Sequence, residues 1–144
     1  MNFAKNTLRV STLALAALAV TSLAQAADPA YNPATALSVT GTITAIHEVP
    51  ASGPLAGLHV TIKTKAASSE IFLAPKEFLK FLHMNFAVGD VIDAMGSKVK
   101  TATGEVILAR EVSDGMSTVE LRDLYGAEAW KNWGVAADPS SLRE

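Results

Sequence analysis

Three histidines are the residues of this sequence best suited to bind a metal ion: His47, His59 and His83. The sequence contains no cysteine, so a metal site would need imidazole, thioether or carboxylate ligands. No paired-histidine motif on a predicted helix is present. His47 and His59 flank the first predicted hairpin, with Glu48 beside them, and a metal-handling protein that uses His47 and His59 is therefore one alternative function.

Whether His47 and His59 can meet depends on the alternation of side chains along their two strands. The pattern of the first strand places His47 toward the barrel interior, whereas the pattern of the second places His59 outward. A β-bulge at Gly41 would turn the first strand and bring both rings outward. Since a zinc site generally has three or four protein ligands, we expect no specific tight metal site and no cofactor. His83 is predicted to end a helix, where imidazole suits the helix dipole.

The motifs of common enzyme classes are missing from the sequence. No Gly-x-Ser-x-Gly elbow supplies a nucleophile, and no glycine-rich loop of the phosphate-binding or dinucleotide-binding kind appears. The carboxylates are scattered along predicted strands and turns. We therefore predict that the protein is not an enzyme, with no catalytic residues.

The N-terminus has the three parts of a secretory signal peptide. Lys5 and Arg9 form a positive segment, residues 11–23 form an apolar run, and Ala24-Gln25-Ala26 is a small-x-small cleavage site. The apolar run is shorter than the roughly 20 residues that a membrane span needs, although an uncleaved anchor is the alternative. No cysteine follows the site, which excludes a lipoprotein. The sequence predicts a periplasmic or secreted protein, starting at Ala27, with no membrane span after cleavage.

Charge and length limit the classes of partner. Cleavage would remove Lys5 and Arg9 but no acidic residue, so the net charge would change from −2 to −4. A general nucleic-acid binder has a basic patch and a high pI, which makes nucleic acid an unlikely partner. The remaining chain has the length of one domain, and without disulfides its fold must depend on an apolar core.

The order of predicted elements is strand, strand, strand, helix, strand, strand. β-Branched residues and alternation predict strands at residues 37–49, 58–64, 70–74, 91–100 and 106–112, with a shorter sixth at 117–121. Pro75 and the apolar spacing after it predict a short helix at residues 75–83. The organising stretch is residues 88–99, where a Gly89-Asp90 turn opens a strand that contains Gly96.

This order resembles the OB-fold, a five-stranded Greek-key barrel. The Gly89-Asp90 turn with Gly96, the segment Ala109-Arg110-Glu111-Val112, and Leu121-Arg122-Asp123 with Gly126 and Trp130 are similar to a set of small exported bacterial OB-like proteins of uncharacterised function. The resemblance implies an all-β protein with one short helix and carries no catalytic residue. We expect a signal peptide at residues 1–26, an extended lead-in at 27–36, an OB-like barrel at 37–121 and a C-terminal tail at 122–144.

The strongest candidates for partner contact are aromatic and arginine side chains near the chain end, since both types are enriched at binding hot spots. These are Phe72 on the strand face together with Arg110, Arg122, Tyr125 and Trp130. They favour a non-enzymatic periplasmic binding or adaptor module for an unknown protein partner or small ligand. A further alternative is oligonucleotide or oligosaccharide binding on the barrel strand face around Phe72. The alternative for Trp130 is that it caps one end of the barrel.

Export can be tested directly by mass. We expect the periplasmic product to begin at Ala27, because Ala24 and Ala26 occupy the small-residue positions of the cleavage site. Intact-mass spectrometry of the purified product measures this. A full-length, membrane-retained species would contradict the prediction.

Overall fold

A computed structural model of the chain describes residues 28–133; the predicted signal peptide, its cleavage site and the end of the tail lie outside these residues. The elements, in chain order, are a 3-10 turn Pro33–Thr35, β1 Ala36–Val49, β2 Gly57–Lys63, β3 Ser68–Phe72, α1 Lys76–Phe81, β4 Val91–Thr101, β5 Gly104–Ser113 and β6 Thr118–Glu120. Within the predicted extended lead-in, only residues 33–35 form this turn, and Asn32 and Ala36 on either side of it are extended. Ser97 Oγ holds this turn by accepting the Asn32 backbone N–H at 2.9 Å.

Strands β1 to β5 pair in a closed ring. The long strand β1 pairs antiparallel with β4 along its first half and with β2 along its second half. β2 continues to β3, and β4 to β5, both antiparallel. The parallel pairing of Ile71 with Ile107 and of Phe72 with Leu108 joins β3 to β5 and closes the ring. The predicted fold class, an OB-fold-like five-stranded barrel with one short helix, is confirmed.

A core of aliphatic side chains fills the barrel, and the helix covers one end of it. Val60, Ile62 and Ile92 are among the fully buried residues, and the buried helix residues Phe78 and Leu79 pack on the same cluster. The helix begins after Pro75, whose carbonyl accepts the N–H groups of Phe78 and Leu79. Among residues 28–133, no helix is both long enough and apolar enough to cross a bilayer.

Two β-bulges interrupt the ladders. In β1, Ile43 pairs with Ile62 and Ala45 with Thr61, so Thr44 is the extra residue. In β5, Arg110 is the extra residue, because Glu111 pairs with Met95 and Ala109 with Gly96. A bulge increases local twist and turns the following side chains to the other face, which lets these strands curl into a small barrel.

The bulge predicted at Gly41 is therefore misplaced by three residues. Gly41 stays in register with Ile92 of β4. A Cβ at Gly41 would lie 2.7 Å from the carbonyl oxygen of Lys63, so glycine here permits close approach of two backbones where β1 passes from β4 to β2. The turn predicted at Gly89-Asp90 is present, with Gly89 at φ 98° and the Asp90 carboxylate accepting the Ala87 N–H at 2.8 Å.

Gly96 should be the most sensitive glycine of the barrel. A Cβ there would collide with the carbonyl oxygen of Leu108 and lie 2.7 Å from its carbonyl carbon. Because backbone atoms cannot move aside cheaply, we expect Gly96→Val to lower the free energy of unfolding by about 3 kcal/mol or more. Urea denaturation followed by circular dichroism measures it.

The control for added strand volume is Ala45→Val, since Ala45 is exposed on β1. We expect it to change the unfolding free energy by less than about 0.5 kcal/mol. Equal urea midpoints of unfolding for the Gly96→Val variant and the wild type would contradict the close approach of Gly96 in β4 to Leu108 in β5.

Candidate functional site

His47, His59 and Phe72 form a row of stacked rings on the outer face of the barrel. His47 lies directly opposite His59 across β1 and β2, and His59 lies opposite Phe72 across β2 and β3. The ring centroids of the two histidines are 5.0 Å apart, and those of His59 and Phe72 are 4.8 Å apart. The Thr44 bulge creates this row, because without the extra residue His47 would point into the barrel.

Glu70 completes a cluster with the two histidines. Its Oε1 lies 2.9 Å from His59 Nδ1 and 3.4 Å from His47 Nε2. The other ring nitrogen of His59, Nε2, is 2.7 Å from the backbone carbonyl oxygen of Leu55. His59 is only 4% exposed, whereas half of the His47 side chain is accessible to solvent. One buried and one accessible imidazole thus share a carboxylate.

Sequence reasoning did not single out Glu70, although a signal was available. Glu70 stands two residues before Phe72, so both side chains point to the same face of β3. The register that pairs Phe72 with His59 then brings Glu70 diagonally beside His59. Glu48, the neighbour considered with the histidines, instead pairs with Lys76 at 3.8 Å. The helix ends at Phe81, two residues before the predicted end at His83, and His83 follows the C-cap Leu82 at φ 57°.

Arg122 lies between two aromatic rings under the tail. Its guanidinium carbon is 4.9 Å from the Phe72 ring centroid and 4.6 Å from that of Trp130. Nη1 donates to the carbonyl oxygens of Leu73 and Ala109. Burial lowers the pKa of the Arg122 guanidinium to about 10, so Arg122 stays cationic at neutral pH. Its role is to join the tail to β3 and β5.

This packing changes the interpretation of the predicted partner residues. Phe72 and Arg122 are each 2% exposed, so neither is on a surface that a partner can reach. Trp130 packs on both apolar clusters of the barrel, which matches its alternative interpretation as a cap. With Phe72 covered, the ring that the sequence offered for stacking with a nucleotide or sugar is not accessible.

The side chain of Arg110 is also largely covered, and its backbone carbonyl oxygen accepts hydrogen bonds from the tail. Its guanidinium lies 2.9 Å from Met95 Sδ and 3.3 Å from a carboxylate oxygen of Glu111. As the extra residue of the β5 bulge, Arg110 turns its carbonyl oxygen outward, where it accepts the N–H groups of Leu121 and Arg122. The bulge therefore attaches the start of the tail.

Tyr125 is the one predicted partner residue that the structure leaves fully accessible, at 82% exposure, and Leu124 beside it is 62% exposed. The turn that carries them is tightly bonded. Asp123 Oδ1 accepts the N–H groups of Tyr125 at 2.9 Å and of Ala127 at 2.8 Å. Gly126, at φ 91°, approaches Tyr31 so closely that a Cβ would overlap its ring. We call residues 123–127 the tail turn.

Trp130 should carry much of the tail's attachment. The centroid of its ring lies 6.0 Å from the ring centroid of Phe72 and 5.9 Å from that of Phe78. Trp130→Ala removes these contacts and the contact with Arg122. We expect it to lower the free energy of unfolding of the protein by about 3 kcal/mol relative to the wild type. Urea denaturation measures the change, and iodide quenching of tryptophan fluorescence reports whether the ring is covered.

Trp133→Ala is the matched control, because Trp133 is exposed and contacts only the helix rings Phe78 and Phe81 among the aromatic pairs of the described residues. We expect it to cost about 1 kcal/mol or less. A Trp130→Ala variant as stable as the wild type would show that the tail does not stay on the barrel in solution.

Comparison with known proteins places the chain in a family. A family model described as the MamS/MamX magnetosome protein family matches residues 35–119, from the last residue of the 3-10 turn to the middle residue of β6. No curated protein matches the chain. The prediction that the protein is not an enzyme stays a prediction. Since the family model covers more than half of its length, the chain belongs to the MamS/MamX magnetosome protein family.

Proposed function

We propose that the protein is a non-enzymatic, exported adaptor module that contacts a protein partner through Leu124 and Tyr125 of the tail turn. The observation that carries this proposal is the rigid presentation of two apolar side chains to solvent. Asp123 holds the turn with two hydrogen bonds from backbone N–H groups, and its own N–H donates to the Ala127 carbonyl oxygen at 3.0 Å.

Rigid presentation favours binding because little conformational entropy remains to be lost on association. A tyrosine offers a large amphipathic contact area with few rotatable bonds, and tyrosine is enriched among interface hot spots. Leu124 and Tyr125 are too exposed to line a concave site of the kind that encloses a small ligand. This supports a protein partner over a small molecule.

Family membership and the N-terminal sequence support where the proposed adaptor acts. The family is described as a magnetosome protein family, and we propose that this chain acts as an adaptor in that context. The signal-peptide features of residues 1–26 support export to the periplasm. The tail turn lies beyond residue 119, where the family match ends, so the proposed contact is argued from the geometry of the tail turn alone.

Site-specific photo-cross-linking in the cells that produce the protein tests the proposed contact. A photoreactive phenylalanine analogue placed at Tyr125 should give one discrete protein adduct. Leu124→Ala in the same background should reduce its yield at least about tenfold, the loss expected for a hot-spot side chain worth more than 1.4 kcal/mol. Both changes should leave the unfolding free energy within about 0.5 kcal/mol of wild type, because neither side chain is buried.

Met116 supplies the matched control position, since it is an almost fully exposed apolar residue in a different turn. The same analogue at Met116 should give no discrete adduct. Equal adducts from positions 116 and 125, or an adduct at 125 that Leu124→Ala leaves unchanged, would contradict a specific contact at the tail turn.

A further inference from the structure

One of the two polar contacts of His59 places two lone-pair atoms against each other. Nε2 faces the Leu55 carbonyl oxygen at 2.7 Å, and because a carbonyl only accepts, Nε2 carries the ring hydrogen. In that neutral tautomer Nδ1 has a lone pair. Yet Nδ1 lies 2.9 Å from a carboxylate oxygen of Glu70, which also offers only lone pairs when ionised. A metal ion bound by both atoms would satisfy this contact.

We propose that His47, His59 and Glu70 form a binding site for a divalent first-row transition-metal ion. The proposal goes beyond the adaptor role and does not depend on it. It also replaces the expectation of no metal site, which assumed that the two histidines lie on opposite faces without a third ligand.

The separations of the three donors suit one ion. A metal that binds imidazole nitrogen and carboxylate oxygen at about 2.1 Å holds neighbouring donors about 3.0 to 3.4 Å apart at octahedral to tetrahedral angles. Glu70 Oε1 is 2.9 Å from the His59 donor and 3.4 Å from the His47 donor. No two of the three ligand atoms are more than 4.8 Å apart. Because the His47 side chain is half exposed, rotation of its ring can shorten the widest separation, which is that between the two histidine donors.

The surroundings of His59 orient it as a ligand. Metal-binding histidines usually donate their second ring N–H to a carboxylate or a backbone carbonyl, which sets the tautomer and the ring direction. Leu55 provides that carbonyl from a left-handed backbone conformation, φ 51°, which is uncommon for a residue with a side chain. Its N–H donates to the Asp28 carboxylate at 2.9 Å. This uncommon backbone conformation directs the Leu55 carbonyl oxygen toward His59.

Access and donor type define which ions fit. His47, His59 and Glu70 line a cleft of about 350 Å³ that also contains Thr101 and Thr103, so water or a further ligand can complete the coordination. Three protein ligands with an open position are the pattern of reactive or exchangeable metal sites rather than closed structural ones. Two imidazoles with one carboxylate and no thiolate favour ions such as Zn²⁺, Co²⁺, Fe²⁺ or Cu²⁺ over Mg²⁺, Ca²⁺ or Cu⁺.

Titration of the purified, chelator-treated protein with Co²⁺ and Zn²⁺ tests the site. Co²⁺ should bind at one equivalent and give a d–d absorption spectrum, and Zn²⁺ should displace it. His47→Gln and Glu70→Gln should each weaken Zn²⁺ binding at least about tenfold in competition with a chromophoric chelator, since loss even of an outer-shell partner often has that effect. Both residues are partly exposed, so these variants should fold even if His59→Gln does not.

Two matched variants separate this site from general surface binding. Glu48→Gln removes the adjacent carboxylate, which pairs with Lys76, and His83→Asn removes the exposed histidine after the helix. Both should keep the wild-type affinity. Unchanged affinity in His47→Gln and Glu70→Gln would overturn the proposal. Absence of saturable Co²⁺ binding would also overturn it.

Discussion

Closure of a very small barrel is the constraint on which the rest of this structure depends. A ring of only five strands can close only if the strands bend and twist strongly. The chain meets this requirement with the bulges at Thr44 and Arg110 and with close backbone contacts at Gly41 and Gly96. The parallel contact of β3 with β5 then completes the ring. A side chain at Gly96 would oppose closure directly.

Both bulges also determine what the outer surface can do. The extra residue at Thr44 turns His47 outward to stack on His59. The extra residue at Arg110 frees a carbonyl oxygen that accepts two N–H groups from the start of the tail. The histidine cluster and the tail turn are therefore both consequences of how the barrel closes, although they lie on different segments of the chain.

The tail completes the protein by covering an apolar outer face. Phe72, Val106 and Leu108 point away from the barrel interior and form a second buried cluster with Leu55. Trp130 and Arg122 cover this cluster, and the cation lies over two ring faces, an arrangement that offsets part of its desolvation. Because His59 stacks on the other side of Phe72, a continuous row of rings connects the histidine cluster with the tail.

The sequence by itself determined the strands, the helix, their order and the barrel class, because these follow from alternation, turn residues and a proline at the helix start. It also identified the residues of interest at the chain end and the histidine pair. It did not reveal that Arg122 lies between Phe72 and Trp130, since burial of an arginine between rings depends on contacts between β3 and residues about 50 positions later. Nor did it locate the bulge, which moved from Gly41 to Thr44. Because side chains alternate with a period of two, one extra residue decides which face His47 occupies. Only the tertiary structure could therefore bring His47, His59 and Glu70 together.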